Sequence, residues 1–344
     1  MKLINTVDSV GTVLCHDITQ IIPGQFKGAV FKKGHIVTEE DIPVLLSVGK
    51  EHLYVWEKTA GMLHEDEAAQ VLCDIAVKGS NDMECSMPSE GKIEIKSKVW
   101  GLLKINSESL NKINSIGQMM MASVHGNFPV RPGDKIAAMR VIPLVIEEEK
   151  MQKARDVAGP EPVFSIMPFT HANIGIITTG REVYSGMIED AFYPVLKDKF
   201  AEYDTTVISH TILPDDKDAI SCEIIKTAKN GADLVLVTGG MSVDPDDRTP
   251  GAIAATGARI ISYGAPVLPG AMLMIAYLEE ENRTVPVIGL PGCVMYAKRT
   301  VFDLVLPRIL AGDILTYDDI ASYGEGGLCL SCDNCTFPHC SFGR

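Results

Sequence analysis

The sequence predicts an α/β protein in which a doubly wound, mostly parallel sheet is preceded by smaller α/β and β-rich domains. First, short apolar runs alternate with helical segments from about residue 166 onward, as in strand–helix–strand units with right-handed crossovers. Second, Leu234–Val237 is apolar at every position, which is typical of a strand buried on both faces. Third, glycine-containing loops follow three of these runs, at the strand ends where such sheets bind ligands.

The composition is that of a globular protein with a sizeable core. The chain has 344 residues, of which 46% are hydrophobic and 22% charged, which suits roughly two or three domains. A net charge of −14 argues against nucleic acid or an anionic membrane as partner. The sequence has no apolar run of membrane-spanning length, and its first residues lack a signal-peptide pattern. We therefore expect a cytoplasmic protein.

The first half of the chain predicts two domains that precede the sheet. Residues 1–78 combine glycine-punctuated apolar runs with a strand at Leu53–Trp56, which indicates a small mixed α/β domain. Residues 79–160 predict a β-rich insert and linker, because Ile93–Lys96 alternates apolar and polar residues. Within this insert the apolar spacing over Leu102–Met121 predicts a helix, whose three consecutive methionines we expect to fill core space.

Residues 161–315 predict the parallel-sheet domain, and residues 316–344 form a cysteine-rich tail. Strands are expected at Asn173–Thr178, Thr205–Thr211, Asp233–Thr238 and Thr284–Leu290, and helices at Met187–Tyr203, Ala219–Lys229 and Cys293–Leu310. Because the residue before a proline is disfavoured in a helix, we expect the last helix to bend or end near Pro307. This alternation is what a doubly wound sheet requires.

Three strand ends carry the glycine-containing loops, namely Thr178–Gly180, Thr238–Gly240 and Leu290–Gly292. Two glycines directly after a strand let the backbone approach a ligand and turn its N–H groups outward. Thr249 and Pro250 suit the start of the next helix. Each loop alone is compatible with a plain turn, but together in this topology they predict a ligand that bears phosphate.

Residues from about 172 to 310 resemble the molybdenum-cofactor biosynthesis domain. This domain is shared by molybdopterin adenylyltransferases, molybdotransferases and the competence-damage-inducible proteins. Three segments carry the resemblance: ITTGREVYSG, LPDD before a helix, and ADLVLVTGGMSVDPDDRTPGA. The resemblance implies that the loops hold the terminal phosphate of molybdopterin, or the phosphates of its adenylylated form. The whole chain is most similar in organisation to molybdotransferase-like multidomain proteins, and members of the family often form homo-oligomers.

The resemblance also implies two sets of site residues. The cofactor-binding set is Thr178, Thr179, Gly180, Thr238, Gly239, Gly240, Ser242, Thr249, Pro269, Gly270, Pro291 and Gly292. The catalytic set is Glu182, Asp215, Asp233 and Asp247. Because carboxylates repel phosphate, we expect Mg²⁺ at Asp215 or Asp247. Helix caps or solvated charges are the alternative roles for these two carboxylates, and a structural turn is the alternative for Asp233.

One segment departs from the family's pattern. Molybdotransferases carry a Lys-Pro-Gly-Lys-Pro segment, whereas Val267–Met272 in this chain contains no lysine. Arg181, Arg248 and Lys298 are candidate replacements. We expect molybdopterin binding with metal-assisted phosphoryl or molybdate transfer. The alternatives are a non-catalytic cofactor carrier or sensor that docks a molybdoenzyme, and a nucleotide pyrophosphatase-like activity.

The nine cysteines form two groups. Five are scattered and are predicted to be free thiols in a reducing compartment: Cys15, Cys73, Cys85, Cys222 and Cys293. Four lie in the tail with the spacing C-x2-C-x2-C-x4-C: Cys329, Cys332, Cys335 and Cys340. This spacing predicts a metal site, either an iron–sulfur cluster or zinc with four thiolate ligands. A flexible reduced tail is the alternative.

Overall fold

The computed structural model describes residues 2–55, 60–242 and 244–343. The chain folds into two compact units. The first comprises Met1–Lys98, Ile105–Val124 and Pro132–Ser165, and the second comprises Val99–Lys104, His125–Arg131 and Ile166–Arg344. The finer division into four segments stays a prediction.

The helices and strands are as follows. Up to residue 163 the strands are β1 (Lys2–Asn5), β2 (Ile18–Ile22), β3 (Phe26–Phe31), β4 (His52–Val55), β5 (Met62–His64), β6 (Met83–Cys85), β7 (Lys92–Ser97), β8 (Gly101–Ile105), β9 (Met119–Ser123), β10 (Pro129–Val130), β11 (Lys135–Val141) and β12 (Val145–Glu147), and the helices are α1 (Asp41–Ser47), α2 (Glu65–Val77), α3 (Ser107–Asn114) and α4 (Glu148–Ala158). Beyond it the strands are β13 (Phe164–Pro168), β14 (Ala172–Thr179), β15 (Thr205–Leu213), β16 (Leu234–Thr238), β17 (Arg259–Tyr263), β18 (Met274–Glu280) and β19 (Arg283–Leu290), and the helices are α5 (Arg181–Tyr184), α6 (Phe192–Phe200), α7 (Lys217–Lys229), α8 (Thr249–Ala255), α9 (Val301–Leu310) and α10 (Tyr317–Ala321). Short 3₁₀ turns lie at Thr6–Asp8, Gly292–Met295 and Ser322–Gly324. Within the described ranges no helix has both the length and the hydropathy that crossing a bilayer requires.

The first unit contains a four-stranded antiparallel sheet in the order β6-β7-β11-β9. Helix α2 begins with a capping box, in which the His64 ring accepts a hydrogen bond from Asp66 N and the Glu67 carboxylate accepts one from His64 N. Strand β4 corresponds to the strand predicted over Leu53–Trp56, although Trp56 lies outside the described residues.

The helix predicted over Leu102–Met121 is wrong. The segment instead forms β8, α3 and β9, and positive φ angles at Gly117 (84°) and Gln118 (63°) separate the last two. Met119 and Met121 are buried, whereas Met120 is 38% exposed. This alternation is that of a strand with one buried face, so two of the three methionines fill core space as expected.

Two of the five cysteines predicted to be free thiols are paired. Cys73 on α2 forms a disulfide with Cys85 on β6, so the prediction is wrong for these two. The sequence spacing gave no sign that this helix and this strand would be neighbours. Cys15, Cys222 and Cys293 are free, as predicted.

The second unit is built on a six-stranded sheet in the order β15-β14-β16-β19-β18-β17. The pairs β14–β15, β14–β16 and β16–β19 are parallel, whereas β18 and β17 continue the sheet with antiparallel pairing. The α/β class with a mostly parallel sheet is thereby confirmed. Strands β17 and β18 were not predicted from the sequence.

Both faces of this sheet are covered, as the apolar run of β16 predicts. Leu234 and Leu236 belong to a core cluster that includes residues of α6 and α9. Val235 and Val237 belong to a second cluster, which includes residues of α7 and α8. Because side chains alternate between the faces of a strand, a strand in the middle of a sheet covered on both faces must be apolar throughout.

Two helices of the second unit are shorter than predicted. The segment Met187–Tyr203 is helical only in α6, and the segment Cys293–Leu310 only in α9 after a 3₁₀ turn. A capping box at Thr300 sets the start of α9. Pro307 lies inside α9, which continues to Leu310, so the helix does not end at the proline, and the alternative of a bend there stays a prediction.

Candidate functional site

Most of the predicted site residues lie at the carboxyl edge of the six-stranded sheet, which is the side where the parallel strands end. Strands β14, β15, β16 and β19 run in the same direction. At their carboxyl ends Thr179 pairs with Leu213, and Thr238 pairs with both Thr178 and Leu290. The loops after these strands therefore lie side by side. Strand β18 is antiparallel to β19 and pairs through Met274 and Gly289, so the preceding Pro269 and Gly270 approach the same edge.

The loop after β16 is held in place by the loop after β14 and by α8. Gly239 and Gly240 have φ angles of 86° and 55°, in the region that favours glycine. A Cβ added at Gly239 would lie 2.2 Å from the carbonyl oxygen of Thr179. The buried Thr249 hydroxyl donates to Gly239 O at 2.8 Å, and Thr249 N donates to Gly240 O at 3.2 Å. Only glycine fits at position 239, which makes this the most constrained of the predicted loops.

Several polar atoms of this loop are left for a ligand. Among the residues that the structure describes, the backbone N–H groups of Gly240 and Met241 donate no hydrogen bond within the protein. The buried hydroxyl of Thr238 has no partner there either. Adjacent unpaired N–H groups in a turn with positive φ angles form a concave site suited to anions. Ser242 follows them and is exposed.

Three of the four predicted catalytic carboxylates lie at this edge. Asp215 follows β15 and accepts a hydrogen bond from Arg181 N at 2.9 Å. Glu182 lies in α5 directly after Gly180 and Arg181, and its side chain is exposed. Asp247 accepts from Asp244 N at 3.3 Å. None of the three forms an ion pair with a lysine or arginine within the described ranges.

Asp233 lies at the opposite end of the sheet. It precedes β16, and its carboxylate accepts a hydrogen bond from Asn173 N at 2.8 Å, near the start of β14. Arg283 contacts the same carboxylate at 3.4 Å. The five residues of β16 separate Asp233 from Gly239, so the two lie six residue steps apart, a distance of about 20 Å at roughly 3.3 Å per residue. The structure therefore does not bring Asp233 together with the other predicted catalytic residues.

Tyr263 is a residue of this edge that the sequence analysis missed. It is the last residue of β17, and its hydroxyl donates to Met241 O at 3.1 Å. Burial raises the pKa of Tyr263, and the negative charge of Asp247 raises it further. The β-branched run before Tyr263 was a usable strand signal.

Thr178 belongs to a second cluster that the sequence did not reveal. Its hydroxyl donates to the Asp190 carboxylate at 2.7 Å and lies 3.1 Å from His210 Nε2. His210 Nε2 also lies 3.0 Å from Asp190, and its ring stacks on Tyr193 with centroids 4.2 Å apart. The second oxygen of Asp190 accepts from Phe192 N at the start of α6. The hydroxyl of Thr178 is thus already hydrogen-bonded within the protein.

The loops that contain Pro269 and Pro291 differ in their surroundings. Pro269 follows a cis peptide bond, and its carbonyl accepts from Val301 N at 3.1 Å. A Cβ at Gly270 would lie 2.5 Å from Val301 Cγ1, so this glycine is needed for packing against α9. Pro291 is buried, while Gly292 is exposed and begins a 3₁₀ turn.

The side chains that could supply positive charge to the site lie in two places, at the carboxyl edge and beside the cysteine-rich tail. Arg181 and Arg248 are exposed beside the loops after β14 and β16. The stem of Lys217 lies 3.9 Å from the position of a Cβ at Gly251, in the first turn of α8. Lys298 instead donates to Asp333 O at 2.8 Å, in the cysteine-rich tail. Lys217, which the sequence analysis did not consider, therefore joins Arg181 and Arg248 as a cation of the carboxyl edge.

The four tail cysteines line one cavity of about 370 Å³. Cys329 and Cys340 are partly buried, and Cys332 and Cys335 are exposed. In the described part of the chain, no three His, Cys, Asp or Glu side chains are already gathered in an arrangement that would hold a metal ion. The predicted ligands therefore share a cavity without being pre-assembled.

Comparison with family models supports the resemblance found in the sequence. Residues 175–311 match the model of a family described as a probable molybdopterin binding domain. Residues 3–57 match a family described only as a domain of unknown function. The prediction of a molybdenum-cofactor biosynthesis domain is therefore confirmed for this part of the chain.

Curated relatives share part of their length with this chain. A CinA-like protein of Anaeromyxobacter sp. (strain K) is 34% identical over 82 residues, which are 24% of this chain and 20% of that protein. A molybdopterin molybdenumtransferase of Synechococcus elongatus is 26% identical over 161 residues, which are 44% and 38% of the two chains. The chain thus spans between a fifth and two fifths of the length of these relatives.

Solved structures similar to the chain include the tungsten cofactor synthesizing protein MoaB from Pyrococcus furiosus. It is 20% identical, covers 42% of this chain and 98% of its own, and has a TM-score of 0.35. A putative molybdenum cofactor biosynthesis protein from Corynebacterium diphtheriae is 18% identical, covers 42% and 100% of the two chains, and has a TM-score of 0.34.

Proposed function

We propose that the protein binds molybdopterin, or its adenylylated form, by the phosphate group at the carboxyl edge of the six-stranded sheet, and acts in molybdenum-cofactor biosynthesis. The observation that carries this proposal is the loop after β16. Gly239 packs on Thr179 O, where a side chain would not fit, and Gly240 and Met241 have N–H groups without partners in the described part of the chain. The match of residues 175–311 to the molybdopterin binding family supports the choice of ligand.

The charges at this edge fit a phosphate only if cations offset the carboxylates. Arg181, Arg248 and Lys217 border the loops and supply positive charge. Asp215 uses one carboxylate oxygen for Arg181 N, which leaves the other free as a ligand for Mg²⁺. Oxygen ligands from one or two carboxylates are what Mg²⁺ takes beside phosphates. When bound there, Mg²⁺ would stabilise the charge that develops on a transferred phosphoryl group.

Each predicted catalytic carboxylate then has a separate role in the proposal. Asp215 and Asp247 would hold the metal, and the exposed Glu182 would face the transferred group as an acid or base. Thr179 and Thr249 position the loop, since their hydroxyls lie 3.3 Å apart and Thr249 is tied to Gly239 O. Asp233 has no part in this chemistry because it lies at the other end of β16.

Calorimetric titration of the full chain with molybdopterin, and separately with its adenylylated form, tests the binding step. Saturable binding of either ligand near one equivalent is expected. Binding should fail in a Gly239→Ala variant and persist in Gly251→Ala, where the added Cβ meets only the Lys217 stem at 3.9 Å. Absence of binding in the wild-type chain would overturn the proposal.

A carrier or sensor is the second candidate, and the segment around Leu268 favours it. This segment lacks the lysines of molybdotransferases, and Leu268 hydrogen-bonds to the tail through Gly327 O and Cys329 N. A surface fixed in this way suits docking to a molybdoenzyme. Assays of Mg-ATP-dependent and molybdate-dependent turnover separate the candidates: binding without turnover supports the carrier, and turnover that Asp247→Ala abolishes supports the transferase.

The names of several relatives motivate one further assay. The CinA-like proteins share 31–34% identity with parts of this chain, and the family resemblance links such proteins to nucleotide pyrophosphatases. Hydrolysis of ADP-ribose is therefore measured alongside the transferase assays. Release of AMP by the wild-type chain, and its loss in Asp247→Ala, would assign this activity to the same edge.

A further inference from the structure

The C-terminal tail is folded against the rest of the second unit, to which it belongs. Leu268 N donates to Gly327 O and Cys329 N donates to Leu268 O, both at 2.8 Å. These two hydrogen bonds form an isolated parallel β-bridge between Leu268 and Leu328 of the tail. At the other end Gly343 N donates to Gly326 O at 2.9 Å, and Phe342 is only 2% exposed. The segment that carries the four cysteines is therefore tied down on both sides.

This fold turns all four cysteines toward one space. Cys329, Cys332, Cys335 and Cys340 all line the cavity of about 370 Å³. Ser331, between the first two cysteines, has a φ of 52°, which turns the chain back so that both reach the cavity. Cys329 and Cys340 also pack on the main core cluster, which fixes the cavity's inner wall.

Cationic side chains complete the cavity wall. Lys298 lines the cavity and donates to Asp333 O at 2.8 Å, which fixes the loop between Cys332 and Cys335. Arg299 also lines it and stacks over the Phe337 ring, 5.0 Å from its centroid. Four thiolates around a divalent ion leave a net negative charge. Lys298 offsets part of it, whereas Arg299 is already paired with Asp303 and Glu202.

We propose that the tail cavity binds a metal centre through the thiolates of Cys329, Cys332, Cys335 and Cys340. Metal binding displaces the thiol protons into solvent, because only thiolates act as ligands. The sulfurs are not gathered at ligand spacing in the structure, so binding must draw the exposed Cys332 and Cys335 inward toward the two partly buried cysteines. Zinc and an iron–sulfur cluster both accept four thiolates.

A metal in this cavity would also affect the neighbouring segment around Leu268 and Pro269. Pro269 lines the cavity, and Leu268 is hydrogen-bonded to the tail. A bound metal would therefore stabilise the segment that stands where molybdotransferases have lysines. The metal site itself requires no pterin, so its test is independent of the proposed function.

The experiment measures metal content of the untagged full chain purified without oxygen. We expect about one zinc, or iron with an equal amount of acid-labile sulfide, per chain. Zinc without sulfide identifies a zinc site, and iron with sulfide and visible absorption identifies a cluster. The doubly substituted Cys332→Ser, Cys335→Ser variant should lose at least about nine tenths of the metal, and Cys222→Ser should retain it, since Cys222 is exposed on α7 outside the cavity.

A second measurement guards against misfolding of the variant. The reduced wild-type chain is loaded with zinc chloride, or with ferrous iron and sulfide, and its thiols are counted with an alkylating reagent under native conditions. Loading should protect the four tail cysteines, identified by mass spectrometry, and leave Cys222 reactive. Metal below about 0.2 per chain after both loadings, or equal metal in the wild type and the double variant, would overturn the proposal.

Discussion

The two edges of the six-stranded sheet both carry aspartates, but the aspartates have different partners. At the amino edge Asp233 contacts Arg283 and accepts from Asn173 N, and Asp204 pairs with His171 at 2.9 Å. At the carboxyl edge Asp215 and Asp247 accept only backbone N–H groups in the described part of the chain. Asp233 and Asp204 therefore have ion-pair partners within the protein, whereas Asp215 and Asp247 have none in the described part of the chain.

The difference shows that strand direction determines which acidic residues can share a site. Asp233 and Asp247 lie in the same sequence segment and follow the same family pattern, yet they flank opposite ends of β16 and its loop. An aspartate before a parallel strand meets the starts of neighbouring strands, where it can tie them together. An aspartate after the strand meets the loops where such sheets bind ligands.

The largest effect is expected from Gly239→Ala. The new Cβ would lie 2.2 Å from Thr179 O at a φ of 86°, so the loop must move and its N–H groups lose their direction. We expect molybdopterin binding to weaken by at least about 100-fold and the free energy of unfolding to fall by about 1–3 kcal/mol. Calorimetric titration and urea unfolding measure the two effects.

Gly251→Ala is the matched control for this substitution. Position 251 lies in α8 next to the same loop, and its Cβ has space. Alanine there should leave binding unchanged and stabilise the helix by up to about 1 kcal/mol. Equal loss of binding in both variants would show that the loop after β16 is not the specific contact.

The second-largest effect is expected from Asp247→Ala, and Asp233→Ala at the other end of β16 is its comparison. Removing Asp247 should lower metal-dependent turnover by on the order of 100-fold, since its carboxylate forms no ion pair in the described part of the chain and is proposed to hold the metal. Removing Asp233 should leave turnover within about twofold and cost about 1 kcal/mol of stability, because it holds the starts of β14 and β16 together. Steady-state kinetics and thermal unfolding test the pair. A turnover loss in Asp233→Ala as large as that in Asp247→Ala would contradict the division between the edges.

The parallel core of the sheet was predictable from the sequence because burial on both faces leaves a local signal. Every residue from Leu234 to Thr238 is buried, and the apolar run records this directly. Strand β17 is an edge strand whose first two residues are exposed, and its local signal is limited to the β-branched pair Ile260 and Ile261. Strand β18 is buried at its first five positions, but a short apolar run alone does not distinguish a strand from a helix.

The candidate site was predictable only where residues that contact each other also lie close together in the sequence. Gly239, Gly240 and Thr249 lie close in sequence and meet in the structure. Thr178 lies on β14, His210 on β15 and Asp190 just before α6, so their hydrogen bonds depend on how these three segments are arranged. No local spacing rule connects them. The same reason explains why the pairing of Cys73 with Cys85 was missed.

The third effect concerns Tyr263→Phe, which removes the hydroxyl bound to Met241 O and keeps the ring. The loop after β16 would lose one of its supports, and we expect molybdopterin binding to weaken by about 3- to 10-fold, as one hydrogen bond contributes roughly 0.5–1.5 kcal/mol. Titration against the wild type measures it. Unchanged affinity would mean that Gly239 and Thr249 position the loop without the tyrosine.

The smallest effect is expected at the amino edge, from the pairing of His171 with Asp204. The hydrogen bond and the negative charge of Asp204 raise the pKa of His171 above its ordinary value of 6.5, and the charge of Asp233 adds to this. Because the pKa is raised in the folded state, the stabilisation is fully present below pH 6.5 and is lost as the pH rises through the folded-state pKa.

His171→Gln should therefore lower the melting temperature slightly at pH 5.5 and leave it unchanged at pH 9, while molybdopterin binding stays the same at both. A proton NMR titration of His171 supplies the direct check, since Asp204→Asn should return the pKa toward its ordinary value. If His171→Gln altered molybdopterin affinity, the amino edge would be coupled to the ligand, and the separation between the two edges would fail.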